Sequence, residues 1–226
     1  MTTLLTLKNL SLTHPHKTIF QEVTFTLNKG DKIGVLGLNG HGKTSLFNII
    51  AGKVQPDTTV PPFTYDKNKD FTFFYVPQEL THIDDWCIED YYYQFHPIAY
   101  AIKLELNTIS EQLSTVDAAF DKLLERQAEL FEQLEHMKDH ESYDRYLNYL
   151  MMFGVENLTR KVSSLSGGEQ RKICLSLGLS STAELILWDE PTNHLDFETI
   201  EQFEDELINS AKTSMIISHD RSLLTN

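Results

Sequence analysis

The run Gly37-Leu38-Asn39-Gly40-His41-Gly42-Lys43-Thr44 constrains this chain more than any other feature. It satisfies the pattern G-x-x-x-x-G-K-[ST] in full. It follows a short apolar run, Lys32-Ile33-Gly34-Val35-Leu36, and opens a helical stretch, Thr44-Ser45-Leu46-Phe47-Asn48-Ile49-Ile50-Ala51, that Gly52 closes. Strand, glycine loop and helix in that order make a cradle for phosphate. The glycines let backbone N–H groups turn toward anionic oxygens, and the helix adds its positive N-terminal end. Lys43 reaches β- and γ-phosphates, and the Thr44 hydroxyl is placed to bind Mg²⁺, with Ser45 next to it. A plain glycine turn is the bland alternative, and the position between strand and helix disfavours it.

The run Leu185-Ile186-Leu187-Trp188-Asp189-Glu190 supplies carboxylates to match. An apolar strand delivers Asp189, which can hold magnesium through water, and Glu190 is placed to polarise an attacking water.

Elsewhere the chain alternates strand and helix. Residues 1–27 suggest two or three strands, with a turn at Asn28-Lys29-Gly30-Asp31. Residues 56–70 read as a loop, and Phe71 to Val76 as a strand ending at Pro77-Gln78. From about Ile88 to Phe153 the pattern is helical, closed by Gly154. Glu184 to Asp189 predicts a strand, Phe197 to Asn209 a helix and Thr213 to Ser218 a strand. The core is therefore α/β with a largely parallel sheet.

Within the helical stretch, Leu106, Ile109, Leu113, Val116, Phe120, Leu123, Leu130, Leu134 and Met137 follow a heptad that only Gln127 interrupts. Ser114 and Thr115, with Asp117 behind, are candidate caps for a second helix. Two helices folded as a hairpin fit better than one rod. The stripe suits a protruding hairpin or a helical subdomain packed on the body, and its narrowness favours the hairpin. Lys103 to Arg145 holds five basic and eleven acidic residues, so the outer face is acidic.

The formal net charge of -14 argues against non-specific nucleic-acid binding by this chain alone. No stretch approaches a membrane span, Met1-Thr2-Thr3-Leu4-Leu5 lacks a basic signal-peptide start, and Cys87 and Cys174 suggest no disulfide framework. These features point to the cytoplasm and to reduced thiols.

Leu165-Ser166-Gly167-Gly168-Glu169-Gln170, taken with the glycine loop and Asp189-Glu190, resembles the signature of ABC ATPases. The order of motifs agrees, and the resemblance spans nearly the whole chain. It implies a P-loop NTPase fold of the ABC type, with a mostly parallel sheet, an antiparallel β subdomain and an α-helical subdomain carrying a helical-hairpin insertion. It implies one domain over 1–226, with a core of about 1–95 and 155–226 and a helical part of about 96–154. It implies ATP and Mg²⁺ as ligands. Gln78 becomes the Q-loop glutamine near metal and water, His219 the switch histidine, and Asn193-His194-Leu195-Asp196 the D-loop. Ser166, Gly167, Gly168 and Glu169 open a helix that faces the γ-phosphate held by another such domain. Two domains then pack head to tail around two ATPs. Where ABC ATPases stack an aromatic ring on adenine, this chain has His14.

Glu190-Pro191-Thr192-Asn193-His194-Leu195-Asp196 and the long interval from Gln78 to Leu165 resemble the ABC-F subfamily. Those proteins carry two ATPase domains in one chain, and many act on the ribosome in translation or antibiotic resistance. The heptad region matches their helical arm, which contacts tRNA or ribosome, although its acidity is a poor match to RNA. The resemblance implies that this chain is the N-terminal domain of a longer protein and hydrolyses ATP weakly on its own. The competing readings are the motor subunit of a membrane transporter and an ATP-gated clamp without catalysis. His136 with His140, the Tyr91-Tyr92-Tyr93 run and Cys174 read as exposed surface, core and buried filler.

Overall fold

Two twelve-residue strands, β1 (Thr3–His14) and β2 (Lys17–Asn28), pair antiparallel at the start of the chain. The computed structural model describes residues 2–15, 17–38, 40–115, 120–137 and 139–218, with backbone only at 115, 139 and 140. Contacts divide the chain into two compact units, Met1–Leu80 with Ser181–Asn226, and Thr81–Ser180.

In the first unit, Asp31 donates its N–H to the Asn28 carbonyl at 3.1 Å and accepts the Asn28 N–H on its carboxylate at 2.8 Å. That turn leads into β3 (Lys32–Val35), the glycine loop and α1 (Lys43–Ile50). Then come β4 (Thr64–Lys67) and β5 (Phe73–Val76). After the second unit the chain returns through β6 (Leu185–Asp189), α6 (Phe197–Asn209) and β7 (Thr213–Ile217). The sheets are an antiparallel β2-β1-β4 and a parallel β3-β7-β6-β5.

Sequence patterning predicts a loop over β4. The segment Thr64-Tyr65-Asp66-Lys67 has no strong strand pattern, and it becomes a strand because β1 offers it an edge. Strands β6 and β7 are buried throughout, as continuous apolar runs in a parallel sheet should be. Their side chains alternate between two faces. Leu185 and Leu187 join Phe47, Ile49 and Ile50 of α1 and the leucines of β1 in one core. Trp188 faces the other way and meets Phe203 of α6 edge-on at 4.9 Å. Asp189 therefore emerges on the α1 face of the sheet.

In the second unit, a 3-10 turn (Glu89–Phe95) precedes α2 (Pro97–Thr115), α3 (Phe120–Met137) and α4 (Asp139–Met152). A short 3-10 turn (Val162–Ser164) then leads to α5 (Gly167–Ser180). Ile102, Ile109 and Leu130 form a buried cluster with Leu106, Leu113, Leu123 and Leu134, all from α2 and α3. Arg126 forks onto Glu105 across the same seam at 2.7 and 3.2 Å. The heptad stripe is thus the inside of a two-helix hairpin, with Phe120 and Met137 exposed beside it. Ser114 is no cap for α3: its hydroxyl donates back to the Glu111 carbonyl in the last turn of α2. Val116 and Asp117 lie outside the described residues.

This unit takes in more chain on both sides than 96–154. Tyr91 and Tyr92 are buried with Tyr146 of α4, whose hydroxyl donates to the Ile88 carbonyl at 2.7 Å. On the far side α5 packs on α4, where Ser142 donates to the Ser180 carbonyl at 3.0 Å. Burial pushes the Cys174 thiol in α5 up to about 11. His136 is exposed, with Glu132 3.6 Å away.

Candidate functional site

The glycine loop bends back over the start of α1. Gly42 is the helix N-cap, at φ 87°. An L side chain is strained there, and a Cβ would also stand 2.0 Å from Ile19 Cγ2. Glycine at this position is therefore dictated twice, by the backbone and by the approach of β2. Lys43 donates to the Gly37 carbonyl at 2.7 Å, and Lys17 donates to the Gly40 carbonyl at 3.0 Å. Both hold the loop around the first turn of the helix.

Across the loop lies the end of β6. Asp189 is 1% exposed, and its Oδ2 accepts from Thr44 Oγ1 at 3.1 Å and from Tyr75 Oη at 2.9 Å. A hydroxyl and a carboxylate side by side are hard oxygen donors, the set that suits Mg²⁺. Glu190, the next residue, has φ 49° and donates its N–H to the Ile217 carbonyl at 2.9 Å. A left-handed glutamate costs about 1 kcal/mol or more. It turns the chain out of the strand, so that two consecutive carboxylates both border one cavity.

That cavity has a volume of about 450 Å³. Leu38, Gly40, Gly42, Lys43, Thr44 and Ser45 line one side, and Asp189, Glu190 and Gln78 another. His14 borders it together with Ile19. Gly37 and His41 serve the loop itself, through the bond to Lys43 and a His41 N–H to Leu38 carbonyl bond of 3.2 Å. Asn39 and His219 lie outside the described residues. Asp196 does not line the cavity; its Oδ1 caps α6 by accepting the Thr199 N–H at 2.8 Å.

Ser166, Gly167, Gly168 and Glu169 belong to the second unit and start α5 as a reciprocal cap. Glu169 accepts the Ser166 N–H and hydroxyl, each at 2.9 Å, while its own N–H points to Ser166 Oγ at 3.3 Å. Arg160 adds an ion pair at 2.9 Å. The Ser166 bonds, with help from Arg160, hold the Glu169 carboxyl below its usual range.

Sequence reasoning missed Tyr75, Ile19 and Asn193 at this site. Tyr75 and Ile19 reach it through strand register, which leaves no local motif. Asn193 borders the cavity itself and stood inside a motif already singled out, where Asp196 was preferred.

Comparison with known proteins gives the family and the fold. A family profile described as ABC transporter matches residues 20–193. This chain belongs to that family. Its relatives include ABC transporter F family member 2 of Arabidopsis thaliana, 32% identical over 225 residues, covering 96% of this chain and 32% of the relative. The energy-dependent translational throttle protein EttA of Mycobacterium tuberculosis (strain CDC 1551 / Oshkosh) is 32% identical over 224 residues, covering 98% of this chain and 38% of that protein. The chain thus spans well under half the length of these relatives. Among solved structures, a putative ABC transporter ATP-binding protein from Pyrococcus furiosus superposes with a TM-score of 0.62 at 19% identity. That match covers 96% of this chain and 91% of the other, and it shows the fold. The fold is that of an ABC ATPase P-loop domain, and the sequence resembles ABC-F proteins. No helix among the described residues is long and apolar enough to cross a membrane.

Proposed function

We propose that this chain is the ATP-binding domain of an ABC-F-type ATPase, one that hydrolyses ATP to ADP and phosphate and works in the cytoplasm on ribosomes. The observation that supports it most is the convergence of Lys43, Thr44, Asp189 and Glu190 on one cavity. Bound Mg²⁺, held by Thr44 and Asp189, with Gln78 close by, would neutralise phosphate charge. The loop N–H groups and Lys43 bind the β- and γ-phosphates. Glu190 orients a water for in-line attack on the γ-phosphate and takes up its proton. Lys43 stabilises the charge that develops on the phosphoryl oxygens. His14 and Ile19 would support the base.

The remaining anion donors come from another domain. In this reading the α5 N-terminus, with Ser166, Gly167 and Gly168, closes on the nucleotide of a second ABC domain, in the same full-length chain or in a head-to-tail homodimer. Asp196 would contribute beside that interface, and His219 would sense the γ-phosphate. The isolated chain then binds ATP and turns it over slowly. Similarity to EttA and to F-family proteins supports ribosome or tRNA as the target of the full-length protein.

The test is a Glu190→Gln variant of the full-length protein, sedimented with ribosomes in ATP. Co-sedimentation that depends on ATP is expected. Its absence, or co-purification with a membrane permease in its place, would overturn the ribosomal reading.

A further inference from the structure

Tyr75 has no part in the motifs that mark this site, yet its hydroxyl is bonded to the buried carboxylate at the centre of it. Strands β5 and β6 run parallel, with Tyr75 opposite Leu187 and Val76 opposite Trp188. Asp189 stands two residues beyond Leu187, on the same face of β6, and so lies diagonally across from Tyr75. Diagonal neighbours in a sheet are about 7–8 Å apart, a span that only a long side chain can bridge. The phenol bridges it and donates to Asp189 Oδ2 at 2.9 Å.

The ring is fixed on two sides. Phe47 of α1 meets it edge-on, at a centroid distance of 6.1 Å and an angle of 90°. The Lys53 ammonium sits over it, 4.8 Å from the centroid. A cation over the ring draws electron density from the phenol and strengthens it as a donor. Phe47 belongs to α1 and Tyr75 packs against the same core, so the strand that carries the hydroxyl is braced by the helix that follows the glycine loop.

Thr44 donates to the same oxygen at 3.1 Å. The two hydroxyls differ in duty. Thr44 is itself a candidate metal ligand, and its oxygen must turn a lone pair toward the cation. Tyr75 comes from β5 and does not line the cavity, and its bond to Oδ2 restrains the rotation of the Asp189 carboxylate.

We propose that Tyr75 is a positioning residue for the divalent cation: through its hydroxyl it locks Asp189 in the rotamer that receives Mg²⁺. This rests on the reading of the cavity as a Mg²⁺–nucleotide site. Tyr75 stands outside the residues that line the cavity, so its hydroxyl controls the metal-dependent part of binding and leaves the metal-free part alone.

The experiment is a titration of the 226-residue chain with a fluorescent ATP analogue, in EDTA and across a Mg²⁺ series, for wild type and Tyr75→Phe. Mn²⁺ binding to the nucleotide-loaded protein, followed by electron paramagnetic resonance, gives a readout independent of hydrolysis. Tyr75→Phe keeps the ring between Phe47 and Lys53, and its melting temperature in EDTA checks folding. The expected result is wild-type affinity in EDTA, with the half-saturating Mg²⁺ and Mn²⁺ concentrations raised about tenfold. In an Asp189→Asn background, Tyr75→Phe should change neither value further. Unchanged metal half-saturation in Tyr75→Phe, or an equal loss of binding in EDTA, would overturn the proposal. A wild-type chain that binds no nucleotide with Mg²⁺ would instead refute the reading of the cavity on which it rests.

Discussion

Thr44 Oγ1 lies 3.1 Å from Asp189 Oδ2, although 145 positions separate them in the chain. One comes from the first turn of α1 and the other from the end of β6. The parallel sheet sets this meeting, since β6 delivers Asp189 on the face that α1 covers. The pair is ready-made for a cation that prefers hard oxygens.

Asp189→Asn should therefore remove most of the Mg²⁺ dependence of nucleotide binding. A hydrogen bond to a charged group is worth about 1.5–3 kcal/mol, and on that scale the loss of one carboxylate should lower Mg²⁺-dependent affinity roughly ten- to a hundredfold. Calorimetric titration with and without Mg²⁺ reads this directly. Binding in EDTA should be equal to wild type or tighter, because a charge facing the phosphates is gone.

Gly42→Ala should weaken the loop itself. The new Cβ would meet Ile19 Cγ2 at 2.0 Å in a backbone at φ 87°. The left-handed backbone alone costs about 1–2 kcal/mol, and the clash adds to it. A lower melting temperature, together with loss of ATP binding, is the expected outcome. Pairing the variant with Ile19→Ala should recover part of the stability, because that removes the clash but leaves the strain.

Glu190→Gln should separate binding from chemistry. A positioned general base contributes typically about 10²–10⁴-fold, so turnover by the full-length protein should fall by that order while ATP affinity holds. Phosphate release under single-turnover conditions is the measurement. Equal rates in wild type and variant would support the clamp reading over the enzymatic one.

Glu169 ties the start of α5 to acid stability. Its carboxyl is held below the usual range, chiefly by the Ser166 N–H and hydroxyl and then by Arg160. A depressed folded value means that the contribution is present above the unfolded value of about 4.3 and is lost as pH falls through the folded one. Glu169→Ala, which removes the N3 half of this reciprocal cap, should cost about 0.3–1.5 kcal/mol at neutral pH. The gap in melting temperature between variant and wild type should close as pH drops below about 4. The side chain is about one-third exposed, so screening by solvent and salt keeps the effect toward the low end.

Much of this site was legible in the sequence because the chemistry is packed into short motifs. Gly37 to Thr44 carries its own strand-loop-helix context, and the Phe197–Asn209 helix has the bounds that its pattern predicts. The heptad stripe likewise announced the hairpin, since apolar spacing on a helix needs no distant partner. What stayed hidden depends on register between distant strands. Nothing near Tyr75 says that its hydroxyl ends on Asp189; that follows from the pairing of β5 with β6. Strand β4 was invisible for the same reason, because its pairing energy comes from β1. Ser114 misled in the opposite direction. Serine caps helices well, but here an intrahelical carbonyl was closer to hand.

Equilibrium binding of ATP to wild type and Lys43→Ala decides whether this chain holds ATP through Lys43 in a Mg²⁺-assisted site. One saturable site in the wild-type chain, tightened by Mg²⁺ and weakened about tenfold or more by Lys43→Ala, is the predicted result. Equal affinity in the two proteins, or no saturable binding by a folded wild-type chain, would contradict it.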